Sequence, residues 1–239
     1  MTTENSKSAN KKTVIITGAS GNLGSAVTKK FLDTGYNVIA TVTSPEIKES
    51  IPGHENLNVE IVNLADENET TSFVKASIEK YKNIDAALML VGGFTMGNIA
   101  ATTGADLKKQ FSLNFETAYY VARPLFQHMM TRGEGRLVFI GSRPALNAVA
   151  GKSVIAYGLS KSLLFKLAEY LNAEAKGKNV TATVIAPSTL DTELNRKSMP
   201  DANPGNWVKP EQLAEILEFV TSEKGSTLRE TVLKVYKNS

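Results

Sequence analysis

The sequence predicts a single-domain α/β protein, in which helices cover both faces of a doubly wound parallel β-sheet. Apolar runs of strand length alternate with segments of helical periodicity along almost the whole chain, which favours right-handed βαβ crossovers. The run from Ile84 to Val91 is almost continuously apolar, as expected for a strand that is covered on both sides. No linker or internal repeat interrupts the 239 residues, a length that one domain can fill.

Local sequence patterns predict the following strands and helices, which are given in chain order. The predicted strands are residues 13–17, 37–43, 57–62, 84–91, 135–141, 180–186 and 228–236. The predicted helices are residues 23–33, 67–82, 107–131, 153–176 and 210–221. The first strand is β-branched, Asp66 is a favourable N-cap for the second helix, and Pro187 ends the sixth strand. Pro210 begins the last helix, at a position where its missing N–H costs nothing.

Composition excludes several classes of protein. Lysines and arginines are scattered and the net charge is only +3, which does not favour nucleic-acid binding. The chain has no cysteine and two histidines, which excludes disulfides and thiolate chemistry and argues against a metal site. Residues 1–12 are polar and are predicted to be a disordered arm ahead of a domain at 13–239. No apolar run reaches the roughly 18 residues of a membrane span, so we expect a soluble cytoplasmic protein without a membrane partner.

A glycine-rich turn follows the first strand. Its sequence, Thr17-Gly18-Ala19-Ser20-Gly21-Asn22-Leu23-Gly24, leads directly into the first helix. Glycines at such a turn let a pyrophosphate approach backbone N–H groups at the positive end of a helix. A strand–turn–helix at this place indicates a dinucleotide site, with expected contacts at Gly18, Ser20, Gly21, Asn22 and Leu23.

The end of the second strand bears on which nicotinamide cofactor binds. An acidic residue there would hold the ribose hydroxyls of NAD, whereas this chain has Thr41-Val42-Thr43-Ser44. No carboxylate in this segment repels a 2′-phosphate, and the hydroxyl of Thr43 offers it a hydrogen bond. No arginine stands there to clamp the phosphate. The sequence therefore favours NADP over NAD.

Tyr157 and Lys161 are the candidate acid/base pair. They lie four residues apart in a predicted helix, so their side chains share one face. A neighbouring ammonium group is expected to lower the pKa of the phenol. Such a pair suits proton exchange with a carbonyl or an alcohol.

These residues together resemble the short-chain dehydrogenase/reductase family from Thr13 onwards, which implies a Rossmann-type fold. The family's catalytic tetrad matches Asn114, Ser142, Tyr157 and Lys161. The resemblance implies that Tyr157 exchanges the proton, Ser142 aligns the substrate oxygen, and Lys161 holds the nicotinamide ribose. It also implies that Asn114 holds a water next to Lys161.

The resemblance implies further cofactor contacts and self-association. Besides Tyr157 and Lys161, the implied contacts are Asn63, Leu64, Gly92, Leu190 and Thr192. In this family the helices around 111–130 and 155–171 build subunit interfaces, so we expect a homodimer or homotetramer. The expected partner is a small carbonyl or alcohol substrate.

Three segments are similar to the dihydropteridine-reductase branch of the family. They are the glycine spacing of the turn, Gly92-Gly93-Phe94, and a loop at about 190–209 that contains Trp207 and lies over the active site in that branch. The branch favours NADH through an acidic residue at the position of Val42 and lacks the Asn and Ser kept here. A pterin reductase is therefore the alternative to a reductase of other small carbonyls. A regulatory protein that binds NADP without chemistry is a third hypothesis.

Overall fold

The computed structural model describes residues 11–238, so most of the predicted disordered arm at 1–12 lies outside the described residues. The strands are β1 Thr13–Ile16, β2 Asn37–Val42, β3 Leu57–Ile61, β4 Ala86–Met89, β5 Glu134–Ile140, β6 Asn179–Pro187 and β7 Val232–Val235. The helices are α1 Asn22–Asp33, α2 Pro45–Ser50, α3 Glu67–Tyr81, α4 Gly104–Phe111, α5 Thr117–Arg132, α6 Ala148–Gly151, α7 Ile155–Glu174, α8 Glu193–Ser198 and α9 Pro210–Thr221.

All seven of these strands form one parallel sheet in the order β3-β2-β1-β4-β5-β6-β7. The strand order reverses between β1 and β4, because the chain returns across the sheet after β3. In doubly wound sheets, ligands bind in the crevice at the carboxyl ends of the strands beside such a reversal. The predicted fold class is confirmed.

Alternate residues of each central strand point into two separate cores. Ile15 and Phe139 belong to the core beneath α3, α5 and α7, together with Leu125 of α5. Val14 belongs to the opposite core, with Phe31 of α1 and Leu217 of α9. Because both faces are covered, the central strands are apolar throughout, which explains the continuous pattern seen in the sequence.

The predicted helix at 107–131 differs from the structure in its middle. The chain forms α4, then a turn of π-helix at Ser112–Glu116, then α5. Wide turns of this kind occur frequently at functional sites, and this one carries the fully buried Asn114. The structure also adds the short helices α2, α6 and α8, which have too few residues to show a helical period.

Candidate active site

The glycine turn is built as the sequence predicts. Gly18 has a φ of 66°, in the left-handed region that favours glycine. Gly24 packs against the turn so closely that a Cβ would lie 2.0 Å from the Gly18 carbonyl oxygen. Gly21 precedes α1 without a side-chain cap, and a Cβ there would meet only the Gly18 carbonyl oxygen at 3.4 Å. Packing thus explains Gly24. The N–H of Gly21 donates to the carbonyl oxygen of Gly18 at 3.1 Å, whereas the start of α1, which has no side-chain cap, suits the approach of a phosphate group.

Thr17 joins the two strand ends beside the sheet reversal. Its hydroxyl oxygen accepts hydrogen bonds from the N–H groups of Leu90 and Val91, at 3.0 and 3.3 Å. The loop after β4 is thereby fixed next to the glycine turn. No sequence pattern predicts this role, because the partners are backbone groups more than 70 residues away in the chain.

Asn114 fixes the same loop from the other side. Its Oδ1 accepts from the N–H of Gly93 at 2.8 Å, and its Nδ2 donates to the carbonyl oxygen of Gly93 at 3.0 Å. Nδ2 also lies within hydrogen-bond distance of Gln110 Oε1 and Ser160 Oγ, and Ser160 was not predicted to take part. Both ends of the amide are therefore committed to protein groups. The water expected beside Lys161 stays a prediction.

Lys161 is buried, with 5% of its surface exposed. Its Nζ donates to the carbonyl oxygen of Ile140 at 2.8 Å, at the end of β5. Burial lowers the pKa of the ammonium to about 8. The group lies directly above Gly92, since a Cβ on Gly92 would be 2.9 Å from Nζ and 2.7 Å from Asn114 Oδ1. Glycine at 92 is thus what makes room for both polar groups.

The pKa of Tyr157 is raised, in contrast to our expectation. Burial of the phenol raises its pKa, the hydroxyl of Ser142 lowers it to a smaller extent, and Lys161 is not among the causes. The prediction that the ammonium lowers the phenol pKa was wrong for this arrangement. The physical reason is that desolvation outweighs attraction when the Lys161 ammonium is bound to the end of β5.

Ser142 lies buried at the end of β5, beside Tyr157. Its Oγ makes no hydrogen bond of acceptable geometry with the described residues, although it is close enough to Tyr157 to affect its pKa. A buried hydroxyl without a partner is costly and is uncommon in folded proteins. An oxygen atom of a ligand placed between Ser142 and Tyr157 would satisfy it.

Phe94 packs against the ring of Tyr157. The ring centroids are 5.0 Å apart and the planes meet at 70°, an edge-to-face arrangement. A cavity of about 240 Å³ lies beside Phe94 and is lined also by Gly93, Thr95, Asp106, Lys109, Gln110 and Leu113. Ser142, Tyr157 and Lys161 do not line that cavity, so it is separate from the acid/base pair.

The end of β2 places Thr43 in an exposed position, as a cofactor contact requires. The neighbouring Ser44 caps α2, with its Oγ accepting from the N–H of Ile47 at 3.4 Å. The same hydroxyl lies close enough to the carboxylate of Glu46 to lower its pKa. Residues 41–44 carry no carboxylate, but Glu46 in the first turn of α2 places one close to them.

The remaining predicted contacts lie at the carboxyl ends of β3 and β6. Asn63 is exposed and its Oδ1 accepts from the N–H of Ala65, while the side chain of Leu64 is buried in the core. The carbonyl oxygen of Leu190 accepts from Asn195, and the hydroxyl of Thr192 caps α8. The predicted contacts in the loops thus follow strands at the same edge of the sheet, whereas Asn114 lies in the π-helical turn and Tyr157 and Lys161 lie in α7.

The donors at this edge suit a dinucleotide better than a metal ion. The glycine turn offers free backbone N–H groups for phosphates, and Lys161 and Tyr157 offer polar atoms at the sheet reversal. Within residues 11–238, no group of three or more His, Cys, Asp or Glu side chains is placed to hold a metal ion. In the same range, no helix is both long and apolar enough to cross a membrane.

Comparisons with known proteins agree with this geometry. A model of the short chain dehydrogenase family matches residues 12–203. A dihydropteridine reductase of Dictyostelium discoideum is 28% identical over 230 residues, covering 93% of this chain and 94% of that protein. The 3-oxoacyl-(acyl-carrier-protein) reductase FabG of Thermotoga maritima is 23% identical over 239 residues, covering 94% and 96%.

A solved structure shares the fold over nearly the same length. It is described as ElxO with NADP bound, and it superposes with a TM-score of 0.87 at 22% identity, covering 94% of this chain and 97% of that one. The family match spans most of the chain, and the predicted resemblance is confirmed. This protein belongs to the short-chain dehydrogenase/reductase family and is an NAD(P)-dependent oxidoreductase.

Proposed function

We propose that this protein reduces the carbonyl group of a small molecule to an alcohol, and catalyses the reverse oxidation, with NADP as the preferred cofactor. The observation that carries the proposal is the pair of hydroxyls at Ser142 and Tyr157, of which the first is buried without a partner. A carbonyl oxygen between them would accept two hydrogen bonds. That oxygen is where negative charge develops as the carbonyl carbon is reduced.

Tyr157 is the proton donor in reduction. The phenol is protonated at neutral pH, as an ordinary tyrosine is, and burial raises its pKa further, so it holds the proton that the new alcohol requires. In the reverse direction the phenolate takes the proton back. Ser142 aligns the substrate oxygen without exchanging a proton, which is a positioning role.

The cofactor supplies the hydride when it is bound, and this chain supplies orientation and electrostatics. Lys161 holds the nicotinamide ribose, and Asn114 fixes the loop on which Gly92 lies. The phosphates and adenine would be held at the carboxyl edge of the sheet by Gly18, Ser20, Gly21, Asn22, Leu23, Asn63 and Leu64. Leu190 and Thr192 would meet the nicotinamide amide and the phosphates.

Two observations support NADP over NAD, and one opposes it. Residues 41–44 carry no carboxylate, and the structural neighbour ElxO was solved with NADP bound. Against this, Glu46 places a carboxylate on the Ser44 hydroxyl. We propose Thr43 as the contact for the 2′-phosphate, with Glu46 limiting the preference.

A pterin substrate is the second candidate. The relative from Dictyostelium discoideum is a dihydropteridine reductase, and the loop at 190–209 resembles that branch of the family in sequence. A quinonoid dihydropterin would take up hydride at its ring system instead of at an open-chain carbonyl. Retention of Asn114 and Ser142 favours the carbonyl substrate.

The test is oxidation of NADPH, followed by its absorbance, in the presence of aldehydes, ketones and a quinonoid dihydropterin. We expect turnover of at least one carbonyl compound and a loss of roughly 10²- to 10⁴-fold in kcat for Tyr157→Phe. Tyr81→Phe, at the end of α3, is the matched control and should keep full activity. Equal activity of Tyr157→Phe and wild type would contradict the assignment of the proton donor, and turnover of the dihydropterin alone would favour the second candidate.

A further inference from the structure

A second cavity lies at the opposite edge of the sheet from the candidate active site. Its volume is about 110 Å³, and its lining includes Arg136 at the start of β5, Asn179 at the start of β6 and Ser222 just after α9. We call it the amino-edge cavity. Ser142 follows Arg136 along the extended chain of β5 and its end, at a distance of about 20 Å for six residues. The cavity is therefore remote from the groups assigned to the cofactor and the substrate.

The guanidinium of Arg136 is buried at this cavity, with 8% of the residue exposed. It makes three hydrogen bonds, all to neutral oxygen atoms. Nη1 donates to the carbonyl oxygens of Gly135 and Asn179 at 2.9 and 2.6 Å, and Nη2 donates to Asn179 Oδ1 at 2.9 Å. A guanidinium has five N–H groups, and the others of Arg136 have no acceptor within residues 11–238. A buried arginine is ordinarily paired with an acid, but none of the ion pairs in this range includes Arg136.

A second arginine approaches the same amide. Arg229 precedes β7 and is exposed, and its Nη2 lies 3.5 Å from Asn179 Oδ1, the atom that Arg136 already binds. Its Nη1 donates to the carbonyl oxygens of Ser226 and Leu228, at 2.6 and 2.8 Å. Burial lowers the pKa of Arg136, and the charge of Arg229 lowers it further. Two guanidinium groups thus converge on one neutral oxygen atom, and an anion between them would relieve their repulsion.

The acidic side chains that line the cavity are held by other cations. Asp85 and Glu134 both accept from Nη2 of Arg132, at 3.0 and 3.1 Å. Glu223 pairs with Lys12 at 3.9 Å. Glu134 and Glu223 raise the pKa of the buried guanidinium, but to a smaller extent than burial lowers it. The negative charges of the cavity are therefore placed on cations other than the two converging arginines.

We propose that the amino-edge cavity binds a small oxyanion, a phosphate or carboxylate group, between Arg136 and Arg229. The forked N–H groups of a guanidinium match the oxygen atoms of either group. The volume of about 110 Å³ is well above the roughly 10–15 Å³ that one water molecule requires. This site is distinct from the candidate active site and does not depend on the proposed carbonyl reduction.

The first experiment is a calorimetric titration with inorganic phosphate at constant ionic strength. The protein is saturated with NADP, so that the glycine turn is already occupied. We expect a dissociation constant of roughly 1 mM or below, and an increase of roughly tenfold or more in Arg229→Gln, because a charge-assisted hydrogen bond is lost. The fold should tolerate this change, since Arg229 is exposed. Arg123→Gln is the matched control, because Arg123 pairs with Glu67 at the start of α3, and it should keep the wild-type constant.

A second experiment examines the buried cation through thermal unfolding. Phosphate is expected to raise the Tm of wild type and of Arg123→Gln relative to chloride at the same ionic strength, because it binds the folded state. Arg136→Gln should lose this increment, and Arg136→Lys should retain only part of it, since lysine keeps the charge but not the forked donors. Arg136 also joins the backbones of β5 and β6. If its variants do not fold, the comparison of Arg229→Gln with Arg123→Gln decides.

Titration with acetate distinguishes the two kinds of oxyanion. Tighter binding of phosphate assigns the cavity to a phosphate group, and tighter binding of acetate assigns it to a carboxylate; either result supports the site. The absence of saturable binding of both anions would overturn the proposal. Equal dissociation constants for wild type and Arg229→Gln would also overturn it, because they would mean that an adventitious ion binds elsewhere.

Discussion

At the scale of single residues, Gly92 controls the position of Lys161. The backbone of Gly92 lies directly under the ammonium group and under Asn114 Oδ1. Any side chain at this position must displace one of the two polar groups. Gly92 therefore affects the active site by leaving room for these two polar groups, and not by making the backbone flexible.

Replacement Gly92→Ala is expected to weaken cofactor binding. The added Cβ would lie 2.9 Å from Lys161 Nζ and 2.7 Å from Asn114 Oδ1, so Lys161 must move. We expect the dissociation constant for NADPH to rise by roughly tenfold, equivalent to about 1.4 kcal/mol, as measured by fluorescence titration. Gly53→Ala is the control, because nothing lies within 4 Å of a Cβ there; equal affinities of both variants would contradict this role of Gly92.

The side chain of Glu46 is expected to limit the preference of the protein for NADP over NAD. The carboxylate is charged at neutral pH, as in any exposed glutamate, and the Ser44 hydroxyl lowers its pKa further, so it repels a 2′-phosphate. For Glu46→Gln we expect the ratio of kcat/KM for NADPH to that for NADH to rise roughly three- to tenfold at low salt, and less at high salt. Glu49→Gln, on the same helix, serves as the control; an unchanged ratio in Glu46→Gln would place the 2′ position elsewhere.

At the scale of elements, the π-helical turn between α4 and α5 is the main feature that sequence patterns did not reveal. An apolar period of 3.6 residues continues through 107–131, so the sequence predicts an uninterrupted helix. The extra residue in the turn is detectable only in the tertiary structure, where the Asn114 amide pairs with both backbone groups of Gly93. The turn thus joins the helix to the loop after β4.

Removal of the Asn114 amide is expected to lower both stability and activity. In Asn114→Ala the N–H and carbonyl groups of Gly93 lose their partners, which should cost about 2–4 kcal/mol in the free energy of unfolding. The matched control is Asn172→Ala on α7, since Asn172 pairs in the same way with both backbone groups of Ala182, at 2.8 and 2.8 Å. Denaturant unfolding should give similar losses in both variants.

Activity distinguishes the two amides. We expect kcat/KM to fall strongly only in Asn114→Ala, because only this amide holds the loop that carries Gly92. A parallel loss of activity in Asn172→Ala would show that general stability, and not the loop after β4, is responsible.

At the scale of the whole molecule, burial of Lys161 between α7 and the sheet links activity to pH. The pKa of Lys161 is lowered to about 8, so the ammonium form predominates below pH 8 and is lost above it. The raised pKa of Tyr157 keeps the phenol protonated over the same range. We expect kcat/KM for carbonyl reduction to be constant below about pH 7 and to fall through an apparent pKa near 8. A profile that stays constant to pH 10 would contradict the assignment to Lys161.

The surface of α5 and α7 predicts self-association of the whole chain. Leu159, Leu163 and Tyr170 of α7 are exposed, as is Tyr119 of α5, and these helices are the ones expected to build a homodimer or homotetramer. The double variant Leu159→Glu with Leu163→Glu should shift the molar mass in light scattering toward the monomer, because burying two carboxylates at an interface is costly. Ile61→Glu, at the end of β3, is the control, and an equal mass of wild type and double variant would remove this face from the interface.

The sequence by itself determined the fold class, the order of the strands and helices along the chain, and the edge of the sheet that carries the site. These follow from hydrophobic periodicity, from the glycine turn and from the spacing of Tyr157 and Lys161, all of which are local patterns. The tertiary structure alone decided the raised pKa of Tyr157, the pairing of Asn114 with Gly93, and the contact of Phe94 with Tyr157. Desolvation and the partners of polar groups depend on which distant segments meet in space, so neither can be obtained from residues near one another in the chain.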